Sequence, residues 1–376
     1  MDDKNPFLIY GYQGPEYFCD REDETNALCS ALTNGRNVTL MSTRRMGKTG
    51  LIFNTFHQLN EKEPSIKCFY IDIFSTNSLK GFIQLLAQAI LGQLDTISEK
   101  WLNRLSEFFK SCRPKIATDP FSGTPTVTLD IQPDQAETTL KEIFAYLTHS
   151  GKECVIAIDE FQQISEYPEK GTEALIRSYI QFMPNVHFIF SGSKRHIMNE
   201  MFSSPKRPFY QSTQKMNIDS IDQKKYYQFA AAHLKSKGIT MPEEVFSKIY
   251  SSLYGHTWYI QRVLNKIYEI GQSPVSEANV DEVMRMIINE EEYNFQKLYS
   301  MLTANQQQLL QAVAAEGTVK AINSSEFIQK YQLKATSSVN RALAYLLDNE
   351  FILDNLDGYQ VYDRFMALWL RNKRLG

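Results

Sequence analysis

Two groups of residues in this chain have the types and spacing to do chemistry: the run Ser42-Thr43-Arg44-Arg45-Met46-Gly47-Lys48-Thr49-Gly50, and the pair Asp159-Glu160 far downstream. Gly-Lys-Thr at the mouth of a helix is a phosphate cradle. Backbone N–H groups around Met46 to Thr49 can point into the turn, Lys48 can reach the β/γ-phosphates, and the Thr49 hydroxyl can take a place on Mg²⁺. The pattern asks for Gly-x-x-x-x-Gly-Lys-Ser/Thr, and Ser42 stands where its first Gly belongs. The plainer alternative is a glycine turn carrying a surface lysine. Asp159 would hold the Mg²⁺ water shell and Glu160 would orient or deprotonate the attacking water; alternatively both acids merely sit at a strand exit. Arg44 and Arg45 either lower the cost of gathering a triphosphate's charge or pair with surface acids.

These groups need strands to deliver them. Val38, Leu40 and Met41 read as the end of a buried strand, and Leu51, Ile52, Phe53 and Phe56 as the apolar side of a helix running to about Leu59. Upstream, the Asp20-Arg21-Glu22-Asp23 run predicts a cap and acidic first turn for a helix that Gly35 closes. Residues 67–74 predict a second strand, with helical spacing resuming at Leu79. Residues 95–132 are less regular and read as an insertion or lid: an amphipathic helix with Trp101, Leu105 and Phe108, then a short strand at Thr126–Leu129. The apolar run from Val155 into Asp159 and Glu160 is the pattern of a central parallel strand that brings acids to the carboxyl edge of a sheet. After a helix over 173–182, Val186 to Phe190 form another strand. It ends in Ser191-Gly192-Ser193, where either serine can meet the γ-phosphate or the water, or cap the next helix. With a last strand at 214–218, five strands alternating with helices predict an α/β three-layer P-loop fold with a parallel sheet.

Beyond Ser220 the spacing is helical, punctuated by Gly238, Pro242, Gly255 and the Gly271-to-Pro274 turn. From about Thr303, three helical stretches and a hairpin over 351–362 predict a winged helix. The expected domains are thus 1–219, an α/β ATPase unit; 220–302, a helical lid whose junction with the sheet encloses the base; and 303–376, the winged helix. Ser337–Asn349 takes the recognition-helix position, with Thr336, Ser337, Asn340 and Arg341 facing outward. Residues 303–376 hold eight basic and seven acidic side chains, a net charge of +1, so duplex DNA competes with a protein contact as the partner of this domain.

Composition narrows the rest. The 376 residues, 43% hydrophobic and 22% charged, are ordinary globular composition for two or three domains. A net charge of -3 excludes an overall basic nucleic-acid coat. The five cysteines show no CxxC spacing and read as buried thiols in a reducing compartment. With neither a signal-peptide pattern nor an apolar stretch long enough to span a bilayer, a cytoplasmic location without membrane contact is expected.

Four segments together carry a family resemblance: the lead-in Phe18-Cys19-Asp20-Arg21-Glu22-x-Glu24, the Arg44-to-Thr49 loop, the strand end Ile158-Asp159-Glu160-Phe161-Gln162, and Leu253-Tyr254-Gly255-His256 followed by a winged helix. Over nearly its whole length the chain resembles the archaeal-type ATPases found in archaea and gut-type bacteria. These belong to the signal-transduction (STAND) branch related to the AAA+ class and are similar in layout to archaeal origin-binding initiators. The resemblance implies ATP–Mg²⁺ binding, slow hydrolysis coupled to domain motion, and a sheet order of 5-1-4-3-2. It also implies that His256, in the element usually read Gly-Gly-His-Pro, approaches the nucleotide; here Thr257 replaces the Pro, and His256 also reads as an ordinary helix-start residue. Relatives commonly place an Arg before the fifth strand where this chain has Pro208-Phe209-Tyr210-Gln211, leaving Arg207 or Arg195 as candidate arginine fingers.

The leading functional expectation is an ATP-binding, slowly hydrolysing conformational switch whose ligands are ATP and ADP. The alternatives are an ATP-regulated DNA-binding protein and a protein-interaction module around a vestigial ATPase core. The oligomeric state stays open.

Overall fold

The computed structural model describes residues 4–94, 99–118, 125–355 and 357–375. The chain forms two compact units: Tyr10–Ile221, and a second in which the N-terminal residues through Ile9 join the chain from Asp222 onward.

The first unit is built in chain order from α1 (Glu22–Thr33), β1 (Val38–Met41), α2 (Lys48–Lys62), β2 (Lys67–Asp72), α3 (Leu79–Leu94), α4 (Glu99–Phe108), β3 (Cys112–Thr118), β4 (Pro125–Ile131), α5 (Ala136–His149), β5 (Cys154–Asp159), α6 (Thr172–Ile180), β6 (Val186–Gly192), α7 (Arg195–Ser203) and β7 (Gln214–Asn217). Five of these strands form one parallel sheet in the order β2-β5-β6-β1-β7; numbered among themselves along the chain, they read 5-1-4-3-2 from the β7 side. Burial follows position in the sheet. Central β1 and β5 are buried at every residue, whereas edge β7 alternates between half-buried and exposed. That is why β5 reads as an unbroken apolar run and β7 does not. Because side chains alternate across a strand, Ile156 and Ile158 face a core with α3, α5 and α6, while Val155 and Ala157 face one with α1 and α2. The result is three layers.

One local expectation is corrected and another is extended. Helix α1 is not capped by Asp20: its N-cap is Arg21, left-handed at φ 76°, with no side-chain cap bond. The Arg21 guanidinium instead donates to Glu24 (2.7 Å) and to the carbonyl of Asp219 (2.5 Å), tying the lead-in to the end of the unit, while acidic Glu22, Asp23 and Glu24 still fill the first turn. In the insertion, the predicted Thr126–Leu129 strand is β4 and has an antiparallel partner, β3, paired from Cys112↔Ile131 to Thr118↔Pro125. Val127, Leu129 and Ile131 bury their side chains in the α3 core.

The second unit contains α8 (Gln223–Ser236), α9 (Glu243–Ser252), α10 (Thr257–Ile270), α11 (Glu277–Ser300), α12 (Ala304–Glu316), α13 (Ser325–Lys330), α14 (Thr336–Asp348), the hairpin β8 (Ile352–Asn355) and β9 (Gly358–Val361), and α15 (Arg364–Leu375). Residues 5–9 belong here, not with the sheet: Asn5 donates to the Asn265 carbonyl, Asn265 to that of Phe7 (both 2.8 Å), Trp258 to that of Ile9 (3.0 Å), and Phe7 is fully buried. Helices α12, α13 and α14 followed by the hairpin make the winged helix, with Val319 forming an isolated antiparallel bridge to Tyr359 of β9. Helix α15, beyond the predicted hairpin, packs on α11 and α12. Among the described residues no helix is long and apolar enough to cross a membrane.

Candidate active site

The loop from β1 to α2 ends on Gly47, the N-cap of α2, left-handed at φ 94°. A residue with no side chain cannot cap the helix itself, so the opening-turn N–H groups stay directed at whatever occupies the loop. Arg45, exposed, is the other left-handed residue of the loop at φ 67°. Ser42 is outside the left-handed region and fully buried, and its hydroxyl donates to the Thr43 carbonyl (2.8 Å), so a Gly is not needed there. Met46 is buried. Gly50 is a packing requirement: a Cβ there would lie 3.0 Å from the Phe18 ring.

Lys48 is only 6% exposed, yet among the described residues no carboxylate lies within ion-pair distance of it. Burial lowers its pKa, with Asp159 and Glu160 opposing and Arg44 adding to the shift. Arg44 lies 5.3 Å over the ring of Phe74. A buried cation without a bonded partner suits an anion.

The parallel register sets Asp72 of β2 beside Asp159 of β5 at the carboxyl edge. Asp159 is buried and accepts three bonds: at Oδ2 from the Thr49 hydroxyl (3.1 Å) and the Tyr70 hydroxyl (2.9 Å), and at Oδ1 from the Glu160 N–H (3.0 Å). Burial pushes the Tyr70 hydroxyl pKa up, and Asp159 raises it further, so Tyr70 stays a donor. Asp72 is also pushed up, first by desolvation; the Phe74 N–H counters this, while Asp159 and Glu160 add to it.

Glu160 is left-handed at φ 55°, and its Oε2 accepts from the Ser193 hydroxyl (2.6 Å) and from Gln162 Nε2 (2.5 Å). Gly192 makes this possible, because a Cβ there would come within 2.4 Å of Gln162 Oε1 and 2.6 Å of Met198. The fully buried Ser191 hydroxyl has no hydrogen-bond partner among the described residues, and neither has Gln162 Oε1. The structure therefore gathers Lys48, Thr49, Asp159, Glu160, Ser191 and Ser193 at one sheet edge. Tyr70 and Gln162 belong to the same cluster without having been singled out as site residues: strand register between β2 and β5 reveals Tyr70, and Gln162 lies two residues beyond Glu160 in the turn after β5.

Other predicted residues lie in different surroundings. Arg207 is bound to Glu173, with Glu200 at 3.6 Å, and Arg195 is half-buried at the first position of α7. His256, the N-cap of α10, is buried, and Arg364 of α15 meets its Nε2 at 3.0 Å. Because a guanidinium only donates, Nε2 is the acceptor in that bond. Ser337, Asn340 and Arg341 are exposed or nearly so on α14, with Asn340 accepting from Asn323 (2.8 Å).

Thr49, Asp159 and their neighbouring oxygens suit Mg²⁺, which keeps most of its shell as water and phosphate oxygen and needs few protein ligands. No cluster of three or more His, Cys, Asp or Glu able to cage a metal occurs among the described residues.

A family model described as an ATPase domain predominantly from Archaea matches residues 18–263, and one described as a probable winged helix domain matches residues 293–372. Among solved structures the chain is similar to the Walker-type ATPase of Pyrococcus abyssi, at 17% identity and TM-score 0.66 over 97% of this chain and 99% of that one. It is also similar to the ORC2 protein of Aeropyrum pernix in ADPNP–ADP complexes (15%, TM-score 0.59, 99% and 96%). A third likeness is to the ORC1 protein of the same organism in complex with DNA (12%, TM-score 0.55, 98% and 96%). A search among curated proteins gives no match.

Proposed function

The chain belongs to the family of ATPase domains found predominantly in Archaea, and from that premise we propose that it is a slow, Mg²⁺-dependent ATPase whose nucleotide state sets the posture of its winged helix. The observation that carries the reading is Lys48: buried, without a bonded partner among the described residues, at the mouth of α2 and near the Thr49–Asp159 pair.

In this reading Lys48 and the N–H groups of Met46 to Thr49 bind the phosphates, and Thr49 and Asp159 hold the cation. When bound, Mg²⁺ supplies the charge neutralisation that phosphoryl transfer needs. Glu160 orients the attacking water and takes its proton, which requires it to give up its bonds from Ser193 and Gln162. Ser191, whose hydroxyl has no partner among the described residues, is our candidate for the γ-phosphate contact. Slow turnover is supported by Arg207, whose charge is already engaged by Glu173; Arg195 stays the candidate for a stimulating arginine. We assign His256 to the α10–α15 contact within the second unit and not to the nucleotide.

The test is calorimetric titration of the purified chain with ATP and ADP, with and without Mg²⁺, followed by phosphate release in the same sample. Tight binding with slow release is expected. Absence of binding would leave a scaffold built around a vestigial ATPase core.

The exposed Ser337–Arg341 face of α14 favours a second reading, in which the ATPase governs binding to duplex DNA. A relative of the same fold, the Aeropyrum ORC1 protein, is described in complex with DNA. The competing partner is a protein at that same face.

A further inference from the structure

Resting on the Mg²⁺–ATP reading above, we propose that Tyr70 is a positioning residue for the divalent cation: its hydroxyl fixes the Asp159 carboxylate so that a single direction remains open toward the metal's water shell. A carboxylate offers about four lone-pair directions. Three are filled here, by Thr49 (3.1 Å) and Tyr70 (2.9 Å) on Oδ2 and by the Glu160 N–H (3.0 Å) on Oδ1. With Asp159 only 4% exposed, bulk water has little access to replace a lost partner.

The donor is held in place from behind. The Tyr70 ring lies 4.9 Å from that of Phe53, which in turn stacks on Tyr12 at 6.3 Å. Phe53 belongs to α2, the helix that begins with Lys48 and Thr49. The aromatic contact thus ties β2, which carries the hydroxyl, to the helix that carries the metal-binding threonine. Tyr70 touches no phosphate in this assignment. Its part is to keep Asp159 from rotating when Thr49 turns its lone pair to the cation.

The test compares Tyr70→Phe with the unaltered chain by measuring ATP affinity in EDTA and over a Mg²⁺ titration. The unaltered chain is expected to bind ATP more tightly in Mg²⁺. Tyr70→Phe should keep the EDTA affinity and require about 10-fold more Mg²⁺ to reach half of the gain, the usual effect of removing an outer-shell partner. Phe53→Leu, which loosens the ring but keeps the hydroxyl, should shift the Mg²⁺ curve the same way by less. Superimposable Mg²⁺ curves for Tyr70→Phe and the unaltered chain would overturn the proposal while leaving the ATPase reading intact. Equal loss of affinity in EDTA and Mg²⁺ would overturn it too, making Tyr70 a packing residue. No Mg²⁺ effect in the unaltered chain would remove the underlying reading itself.

Discussion

Lys48 is buried at a cost, because burial disfavours its charge and Asp159 and Glu160 offset only part of that penalty. If Lys48 weakens the empty fold and binds phosphate, as proposed, the signature is simple. Lys48→Met should raise the thermal midpoint of the nucleotide-free protein while abolishing stabilisation by Mg-ATP, which at about 100 times Kd is worth roughly 2.7 kcal/mol. Unchanged stabilisation by Mg-ATP in that variant would sink the site. Glu160 separates binding from chemistry: Glu160→Gln should keep ATP affinity and slow phosphate release by about 100-fold or more. A rate equal to that of the unaltered chain would instead mark the core as vestigial. His187 supplies a pH prediction away from the site. Burial lowers its pKa and Glu153, at 3.8 Å, only partly restores it. Below its unfolded value near pH 6.5, the unfolded chain takes up a proton that the folded chain resists, so stability is full above that pH and lost as pH falls toward the folded pKa. His187→Gln should flatten denaturant midpoints between pH 7 and pH 5; an identical pH slope would remove His187 as a cause.

At the scale of elements, the acidic edge depends on close approach between β6 and the turn after β5. Gly192→Ala would press a methyl into Gln162 and Met198, so we expect a loss of about 1–3 kcal/mol in urea unfolding and a changed hydrolysis rate as Gln162 leaves Glu160. Wild-type stability with a wild-type rate would show that the turn adjusts freely. In the second unit, Arg364 is buried, and among the described residues no carboxylate is bonded to it; it donates to Gln360 (2.7 Å), to the Val361 carbonyl (3.1 Å) and to His256, and lies 4.8 Å over Tyr254. Those bonds join α15 to the start of α10. Elements with strong periodicity were legible from the chain: β1, β5 and β6 are apolar because both faces are covered. Strand β3 was not, since Cys112-Arg113-Pro114-Lys115 alternates poorly and is a strand only because β4 pairs with it. Helix α15 was missed for a related reason, as its apolar residues are explained only by α11 and α12 packing against them.

For the whole molecule, the proposed switch role turns on which partner the winged helix meets. If the winged helix reads DNA, anisotropy titrations against duplex DNA should show affinity falling steeply with salt and differing between ATP and ADP states. Joint replacement of Asn340 and Arg341 should then weaken binding; full affinity in that variant would exclude α14 as the reader and point to a protein partner. The candidate site was legible in the sequence, because the pattern of a phosphate loop and that of an acid-ended strand depend on short, contiguous runs: Gly47-Lys48-Thr49 and Ile158-Asp159-Glu160 are recognisable before any folding. What only the tertiary structure decided are the partners brought in by register and packing. Tyr70 reaches Asp159 because β2 pairs with β5, Gln162 and Ser193 meet on Glu160 because Gly192 leaves room, and Phe7 is withdrawn from the sheet unit into the second one. Apart from the Gln162–Glu160 bond itself, these depend on residues far apart along the chain, whose proximity no local pattern records.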